Sequence, residues 1–512
     1  MIVRDDAVNA GSLRGPRAAL RPILTLACAA AMAACTVGPN FTRPAPPAAT
    51  RYTADAPRDA GAPADGTAQH IDLGREIEGD WWSLFRSDAI DGVVKQALEH
   101  NRSLAASTAT LQQAGELAIA AGGARYPQVG LSAGVGRQQY GDEFLGGFFN
   151  VPPFTYYAIG PTVSYTLDYA GGISRGVEQQ YALAEAARHQ MDAAYLTVTG
   201  QAVMQTLAIS SARAQIATVE TILSQDRDNL KLVQTAFQDG SVARIDVVSA
   251  QSQIASDMAL LPPLRQELAR AHHALSVVLG RTPANELPPD VDLAQITLPL
   301  ELPVILPSEL AHRRPDILAA EARLHAATSA VGVAESNLYP KIQLSATLGQ
   351  QAVDSSLLFS SADTAWSLVS GLTMPLFDGG TLRAEKRAAV DAMHASAAAY
   401  EQTVLEAFGQ VADMLEALNH DAEQLDAQAQ AQQAAQSGLD LARASYAEGN
   451  AGVLQVLDAQ RSYQQARLGY VRAVAQRYLD TVQLFLALGG SNPGLGGANP
   501  SDGRTRETPP RG

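Results

Sequence analysis

The sequence predicts a mainly helical protein with a small β part, built from two tandem copies of one unit. Two observations support this fold class. The proline-free residues 175–237 and 382–446 are each long enough for a helix of roughly 95 Å at 1.5 Å per residue. Each stretch follows a pair of short segments in which apolar residues alternate with small or polar ones, which is the period of a β-strand.

The tandem repeat is visible in two sets of motifs that recur in the same order in both halves. The first set recurs at a constant spacing of 213 residues and the second at 209 residues. Examples of the matched pairs are Pro127 with Pro340, Leu131 with Leu344, Gly240 with Gly449, and Gly280 with Gly489. Because the spacing is constant within each set, both halves are expected to have the same fold.

The N-terminus has the layout of a bacterial secretory signal. Arg14, Arg17 and Arg21 precede the apolar residues 23–34, a run of about 12 residues that is too short to cross a bilayer as a stable helix. The run ends in Met32-Ala33-Ala34-Cys35, which resembles a lipobox and predicts acylation of Cys35 after cleavage. An ordinary cleavage after a small residue, with Cys35 as an idle thiol, is the alternative.

The composition divides the chain into five predicted parts. Pro- and Ala-rich sequence follows the signal and predicts an extended linker, and a Gly-, Pro- and Asn-rich tail predicts disorder. The parts are a signal peptide (1–34), a lipidated extended linker (35–80), a first repeat (81–290), a second repeat (291–489) and a disordered tail (490–512).

Each repeat is predicted to contain helices, then a β-hairpin, then a long helical hairpin. Pro127 and Pro340 mark the start of the strands, because the residue before a proline is disfavoured in helical geometry. The β-hairpins are expected at about 128–169 and about 341–377, and the long helical hairpins at about 175–280 and about 382–488.

The long helices carry a coiled-coil pattern. Between residues 216 and 237 apolar residues follow a 3,4 spacing that is interrupted only at Asp226. Each long helix is predicted to end at a glycine turn, at Gly240 in the first repeat and at Gly449 in the second. A second helix of about 40 residues is expected to return from each turn.

The predicted strands resemble transmembrane β-barrel strands, because one face is apolar and the other is small or polar. Four strands are too few to close a barrel, and an open sheet edge is not tolerated in lipid. Two copies of the chain would supply eight strands and three would supply twelve, which leaves room for a lumen. The long helices are too polar for lipid and would stand clear of the membrane. A barrel with a lumen that continues into such helices predicts a conduit. A soluble sandwich with rod-like coiled coils is the alternative.

Composition and motifs argue against several other classes of protein. The net charge of −15 does not favour a nucleic-acid partner. Both cysteines lie in the first 35 residues, so the mature fold has no disulfide framework or cysteine metal site. HExxH and P-loop patterns do not occur, and the nine histidines are scattered. We therefore expect no enzyme activity, no metal and no cofactor, apart from an N-acyl diglyceride on Cys35.

Several motifs together resemble the outer-membrane factor lipoproteins of the TolC/OprM/NodT type. The motifs are the segment 35–44 (CTVGPNFTRP), the segment 81–85 (WWSLF), the segment 98–101 (LEHN), the segment 313–317 (RRPDI), and the two Tyr-Pro pairs at Pro127 and Pro340. The resemblance covers about residues 35–490.

This resemblance implies a homotrimer in the outer membrane of a Gram-negative bacterium. The expected assembly has a twelve-stranded β-barrel and an α-helical periplasmic tunnel that is closed at its inner tip. The implied partners are a periplasmic adaptor (membrane fusion) protein, an inner-membrane pump of the RND or a related type, and outer-membrane lipid. The implied function is export of drugs or other small toxic solutes through a tripartite efflux system.

The resemblance also assigns the tip of the tunnel. It is formed by the turns after the long helices, here at Gly240 and Gly449, and acidic residues near it narrow the aperture. We select Asp246 and Asp458, interpreted as corresponding positions, as gate candidates. For Asp246, the alternative is an ordinary helix N-terminal charge that the helix dipole favours.

Two other functions stay open at the level of sequence. One is a coiled-coil surface lipoprotein that acts as a spacer or adhesin and leaves its strands in water. The other is an outer-membrane duct that serves protein secretion instead of solute efflux.

Overall fold

The computed structural model describes residues 36–45, 49–53, 68–77, 80–140, 152–284, 289–360 and 363–490. The predicted signal peptide, Cys35 and the predicted tail beyond residue 490 lie outside the described residues. Across the described ranges the chain is mainly helical and contains a four-stranded and a two-stranded sheet. This confirms the coarse fold class that the sequence predicts.

Two very long helices dominate the secondary structure. The helices are α1 (Asp88–His100), α2 (Arg102–Gly122), α3 (Gly172–Gln238), α4 (Arg244–Met258), α5 (Leu261–Val278), α6 (Pro307–Leu310), α7 (Pro315–Ser336), α8 (Thr381–Ala447) and α9 (Val453–Ala487). Helices α3 and α8 each contain 67 residues. At 1.5 Å per residue each is about 100 Å long, and each spans a proline-free stretch of the sequence.

The strands form one antiparallel and one parallel sheet. They are β1 (His70–Leu73), β2 (Gln128–Gln138), β3 (Phe154–Leu167), β4 (Glu301–Val304), β5 (Lys341–Ala352) and β6 (Thr364–Thr373). The antiparallel sheet has the order β2-β3-β5-β6, so the two hairpins pair with each other through β3 and β5. The parallel pair of β1 and β4 is an element that the sequence analysis did not predict.

The helices contain two breaks that the sequence did not predict, and the second corrects the single return helix of about 40 residues expected in the first repeat. The first helix of the first repeat is interrupted at Asn101, whose side-chain Oδ1 accepts hydrogen bonds from the backbone N–H groups of Ser103 and Leu104. An asparagine in this role starts a new helix. The return helix of the first repeat is also broken, because Pro262 and Pro263 stand in the first turn of α5. Proline is tolerated there but not inside a helix.

The chain divides into two compact units, each of which draws on both predicted repeats. The sheet unit comprises the described residues up to Thr42 together with Ala114–Ala184 and Arg323–Ala397. The helical unit comprises Arg43–Gln113, Glu185–Ala322 and the described residues from Ala398 onward. The two predicted repeats therefore do not correspond to two separately packed bodies.

The core of the helical unit is aromatic and aliphatic. Trp81 and Phe85 lie in a short 3₁₀-helix and are fully buried. The Trp81 ring centroid lies 5.9 Å from that of Trp82 and 6.0 Å from that of Phe485. Aromatic side chains of this size each bury about 150–250 Å². The tryptophan motif that contributes to the family resemblance is thus a packing element.

Candidate functional site: the four-stranded sheet and the helical turns

One face of the four-stranded sheet is apolar and exposed. Three register pairs of β5 and β6 on this face are Leu348 with Trp366, Ala346 with Leu368, and Ile342 with Leu372. Trp366 is 76% exposed, and Leu131 of β2 is 75% exposed. Soluble monomeric proteins rarely leave a contiguous apolar patch of this kind in water. The face is therefore built to lie against an apolar environment.

The opposite face of the same strands is small and polar. Residues there alternate with the apolar set, and Thr347 pairs in register with Ser367. Their hydroxyl oxygens lie 2.7 Å apart and form a hydrogen bond. A sheet that is apolar on one face and hydroxyl-rich on the other can separate lipid from water.

Both outer strands of this sheet have an unpaired edge within the chain. Strand β2 pairs only with β3, and strand β6 pairs only with β5, as far as the described residues extend. The backbone groups along such edges form ready templates for strand addition. The sheet is therefore incomplete as a membrane-spanning structure in one copy of the chain.

The two prolines that the sequence analysis selects lie directly before strands. Strand β2 begins one residue after Pro127, and β5 begins one residue after Pro340. The carbonyl oxygen of Pro340 accepts a hydrogen bond from the Tyr169 hydroxyl, just beyond the end of β3. This bond links the start of one hairpin to the end of the other.

The two predicted glycine turns have the same geometry. Gly240 has φ of +74° and Gly449 has φ of +77°, in the left-handed region that favours glycine. The next residue donates its backbone N–H back to the helix in both turns, from Ser241 to Ala236 at 2.9 Å and from Asn450 to Ser445 at 2.9 Å. Both long helices thus end in the same cap.

Asp246 lies at the start of α4 with its side chain folded back onto its own helix. Its Oδ2 accepts a hydrogen bond of 3.0 Å from the backbone N–H of Ala243, and the residue is 8% exposed. This is the capping geometry of an acidic residue at a helix N-terminus. The carboxyl is therefore engaged in ordering the turn within this chain.

Asp458 is differently placed, which corrects the interpretation that the two acids correspond. Asp246 is the third residue of α4, whereas Asp458 is the sixth residue of α9, and Gln455 is the third. The Asp458 carboxyl is exposed and forms an ion pair with Arg461 on the next turn of the same helix. The two gate candidates thus share neither position nor surroundings.

Comparison with known proteins decides the family. The sequence pattern of the family described as "Outer membrane efflux protein" matches residues 93–281 and 306–490. The chain belongs to this family. The two matched ranges fall in the two halves of the chain, and the fold and the exposed apolar sheet are those expected of an outer-membrane channel.

Individual relatives agree with the assignment. The chain is 30% identical over 415 residues to the pyoverdine export outer membrane protein OpmQ of Pseudomonas putida, covering 80% of this chain and 87% of the relative. It is 27% identical over 473 residues to the probable outer membrane lipoprotein SilC of Salmonella typhimurium, covering 91% and 98%. The solved structure of the outer-membrane channel OprN superposes with a TM-score of 0.80 at 30% identity, covering 89% and 99%.

These findings place this efflux protein in the outer membrane of a Gram-negative bacterium and make it an efflux channel protein. None of its described helices combines the length and apolarity needed to cross a membrane. The described residues also contain no cluster of three or more histidine, cysteine or acidic side chains suited to hold a metal ion.

The efflux protein contains a buried pair of carboxyl groups that the sequence analysis did not identify. Asp226 of α3 is 4% exposed, and burial together with the neighbouring carboxyl of Asp257 on α4 raises its pKa. Asp226 Oδ1 accepts hydrogen bonds from the side-chain amides of Gln460 at 2.7 Å and Gln464 at 2.8 Å, both on α9. The only sequence signal was the interruption of the apolar seam at Asp226.

A second buried carboxyl pair joins the other helical hairpin. Asp421 of α8 and Asp480 of α9 are both buried, and burial together with the neighbouring Asp480 carboxyl raises the pKa of Asp421. Asp480 Oδ2 also accepts a hydrogen bond of 3.0 Å from the amide of Gln476. The buried guanidinium of Arg477 interacts electrostatically with Asp421. No pattern in the sequence signals this pair.

Proposed function

We propose that three copies of this chain assemble into one outer-membrane duct with a twelve-stranded β-barrel and an α-helical periplasmic tunnel. The observation that carries the proposal is the four-stranded sheet with an exposed apolar face and two unpaired edges. An open edge is not tolerated in lipid, so neighbouring copies must pair with it. Three copies give twelve strands, which is enough to enclose a water-filled lumen.

The two glycine turns form the tip of the proposed tunnel. Gly240 and Gly449 cap helices of equal length with the same backbone geometry, which suits a tip built from both repeats. Asp458 is the better gate candidate of the two acids, because its carboxyl is exposed. Asp246 influences the gate indirectly, because its carboxyl caps α4 and so keeps the preceding turn ordered.

The proposed duct works as the outer part of a tripartite efflux system and performs no catalytic step. Its partners are a periplasmic adaptor protein and an inner-membrane pump of the RND or a related type. Drugs or other small toxic solutes are the proposed cargo. Support comes from the family match and from OpmQ, whose name describes pyoverdine export.

We propose further that Cys35 carries a diacylglyceryl group and an N-acyl chain. The lipobox-like residues before Cys35 and the similarity to SilC, a probable outer membrane lipoprotein, support this. Mass spectrometry of the mature N-terminal peptide tests it. Two acyl chains on the glycerol and one on the amine are expected, and an unmodified Cys35 or a different mature N-terminus would contradict lipidation.

Planar-bilayer recording tests the duct itself. Purified full-length protein is expected to insert and give discrete conductance steps of one size, because a closed barrel fixes the lumen. A preparation that is folded by circular dichroism but never conducts would contradict the duct and favour a surface spacer. Growth of a deletion strain on toxic small solutes, with and without the gene, separates solute efflux from protein secretion.

A further inference from the structure

The Asp226–Asp257 pair is a buried contact between α3 and α4 that requires a proton. Asp226 Oδ1 already accepts two amide hydrogen bonds from α9, whereas Oδ2 is buried and receives no N–H donor from the described residues. Two neighbouring buried carboxyls disfavour each other's ionised form. A proton shared between the two carboxyls satisfies Oδ2 and removes the repulsion.

The groups that face this pair are neutral apart from the two acids. The α9 side contributes the amides of Gln460 and Gln464. On α4, Gln253 donates its amide to Asp257 Oδ2 at 2.9 Å. On α3, Asn229 donates to Gln460 and so orients that amide toward Asp226. Among these described neighbours no cation offsets a second negative charge.

The second pair repeats the arrangement with one difference. Asp421 Oδ2 is buried and receives no N–H donor within the described part of the chain, and the neighbouring carboxyl is that of Asp480. Here the α9 guanidinium of Arg477 stands near Asp421 and stabilises its ionised form. Gln476 and Gln483, also on α9, donate to Asp480 at 3.0 Å and 3.2 Å. One carboxyl pair therefore bridges each of the two helical hairpins.

We propose that the two carboxyl pairs are proton-dependent latches that hold α3 to α4 and α8 to α9, and that the hairpins loosen as pH rises through neutrality. Each hairpin has one latch between its two helices. The first lies roughly 20 Å of helix before Gly240, and the second roughly 40 Å before Gly449. The effect of the latches on an aperture at Gly240 and Gly449 rests on the proposed function. The latches themselves do not depend on it.

The electrostatics give the direction and range of the effect. Burial, followed by the hydrogen bond with Asp257, raises the pKa of Asp226 to about 7. Burial and the hydrogen bond with Asp480 raise the pKa of Asp421 to about 7, although Arg477 opposes this. A carboxyl with a raised pKa stabilises the folded hairpin fully below the pKa of the unfolded chain, near 4. That stabilisation is lost as pH rises through about 7.

Infrared spectroscopy of the purified full-length protein tests the protons directly. We expect a protonated-carboxyl band that disappears with a midpoint between about pH 6 and 8, well above the range of ordinary carboxyls. The band should lose about half its intensity in Asp226→Asn and nearly all of it in Asp226→Asn/Asp421→Asn. A wild type without such a band, or a double variant that keeps it, would overturn the proposal.

Two exposed acids serve as matched controls on the same helices. Asp228 lies two residues from Asp226 with 69% of its side chain exposed, and Glu423 lies two residues from Asp421 with 78% exposed. Asp228→Asn and Glu423→Gln should leave the neutral-range band at full intensity. If either control removed as much of the band as the latch variants, the assignment to the buried pairs would be wrong.

The distance between two spin labels across the first hairpin tests whether the hairpin loosens as pH rises. Labels at Gln234→Cys on α3 and Ser252→Cys on α4 are expected to give a narrow distribution at about pH 5 that broadens with a midpoint near pH 7. Asp226→Asn mimics the protonated pair and should keep the distribution narrow at about pH 8, and Asp257→Asn should do the same.

This distance measurement requires no conducting channel, so its result is separate from that of the duct. A wild-type distribution that stays unchanged with pH would overturn the latch even if the protein conducts. Broadening that persists in both Asp226→Asn and Asp257→Asn would overturn it as well. A latch that behaves as expected in a protein that never conducts would contradict only the proposed function.

Discussion

The two units of the molecule place their apolar residues in opposite ways. In the helical unit leucines and aromatic residues are buried in a core, and Leu418 is 0% exposed. In the sheet unit the large apolar residues of the strands point outward, and Leu131 is 75% exposed. The helical unit therefore obtains its core from its own chain. In the proposed duct, lipid covers the apolar face of the sheet unit and neighbouring copies pair with its edges.

The largest expected effect comes from placing a charge on the apolar face of the sheet. Leu368→Lys should abolish membrane assembly, because a lysine at the lipid face near the bilayer midplane costs about 2–4 kcal/mol in every copy. The measurement is the fraction of protein recovered in the outer membrane. Ser367→Lys places the same charge on the opposite face and should retain assembly. Equal loss in both variants would contradict the assignment of the two faces.

A pair of matched truncations compares the same residue type in the two units. Leu418→Ala should lower the free energy of unfolding by about 2–5 kcal/mol, because it leaves a cavity in the helical core. Leu131→Ala, measured in detergent, should lower it by less than about 1 kcal/mol, because Leu131 is 75% exposed within the chain. Chemical denaturation of both variants checks this. A larger loss for Leu131→Ala would reverse the proposed difference between the units.

Several features of the fold follow from sequence because they depend on local chemistry. The proline-free stretches predicted α3 and α8, and the alternation predicted β2 and β5. The glycines after the long stretches predicted the turns at Gly240 and Gly449, where the structure shows positive φ. The family resemblance is confirmed by the match over both halves.

Features that depend on contacts between distant segments did not follow from sequence. The β1–β4 pair joins residues that are far apart in the chain. Each of these strands has only four residues, which is too short to give a recognisable sequence pattern. Asp226 was visible as an interruption of a seam, but its partner Asp257 lies on another helix without any pattern of its own. Asp246 and Asp458 were paired from their nearness to the turns, and only the helix starts reveal their different positions.

The glycine turns offer a smaller effect that should be equal in the two repeats. Gly240→Ala and Gly449→Ala should each destabilise the hairpin by about 1 kcal/mol, because a side chain at positive φ is strained. Gly438→Ala, inside α8 about ten residues before its end and with open space around it, should instead be neutral or stabilising by up to about 1 kcal/mol. Thermal unfolding measures all three. A stabilised turn variant would contradict the cap geometry.

The smallest expected effect concerns an acidic group in the sheet unit. Burial acts to raise the pKa of the Glu178 carboxyl, but hydrogen bonds from His325 and Arg175 outweigh burial and lower that pKa. A carboxyl with a lowered pKa stabilises the folded state above its usual pKa and loses that contribution as pH falls through the lower value.

Glu178→Gln should therefore reduce the acid-induced drop in the thermal unfolding midpoint, and the exposed control Glu185→Gln on the same helix should not. This is the reverse of the pH dependence expected for the two buried carboxyl pairs. If the midpoint of Glu178→Gln fell with acid as steeply as that of the wild type, the assigned hydrogen bonds would not contribute to stability.

Completion of the sheet by neighbouring copies is best tested by the native mass of the membrane-extracted particle. The full precursor is expressed in a Gram-negative host, the membranes are extracted with mild detergent, and the protein mass is determined separately from bound detergent. We expect a detergent-dependent particle of three subunits. A monomer released without detergent would contradict the claim and leave the apolar face of the sheet without an explanation.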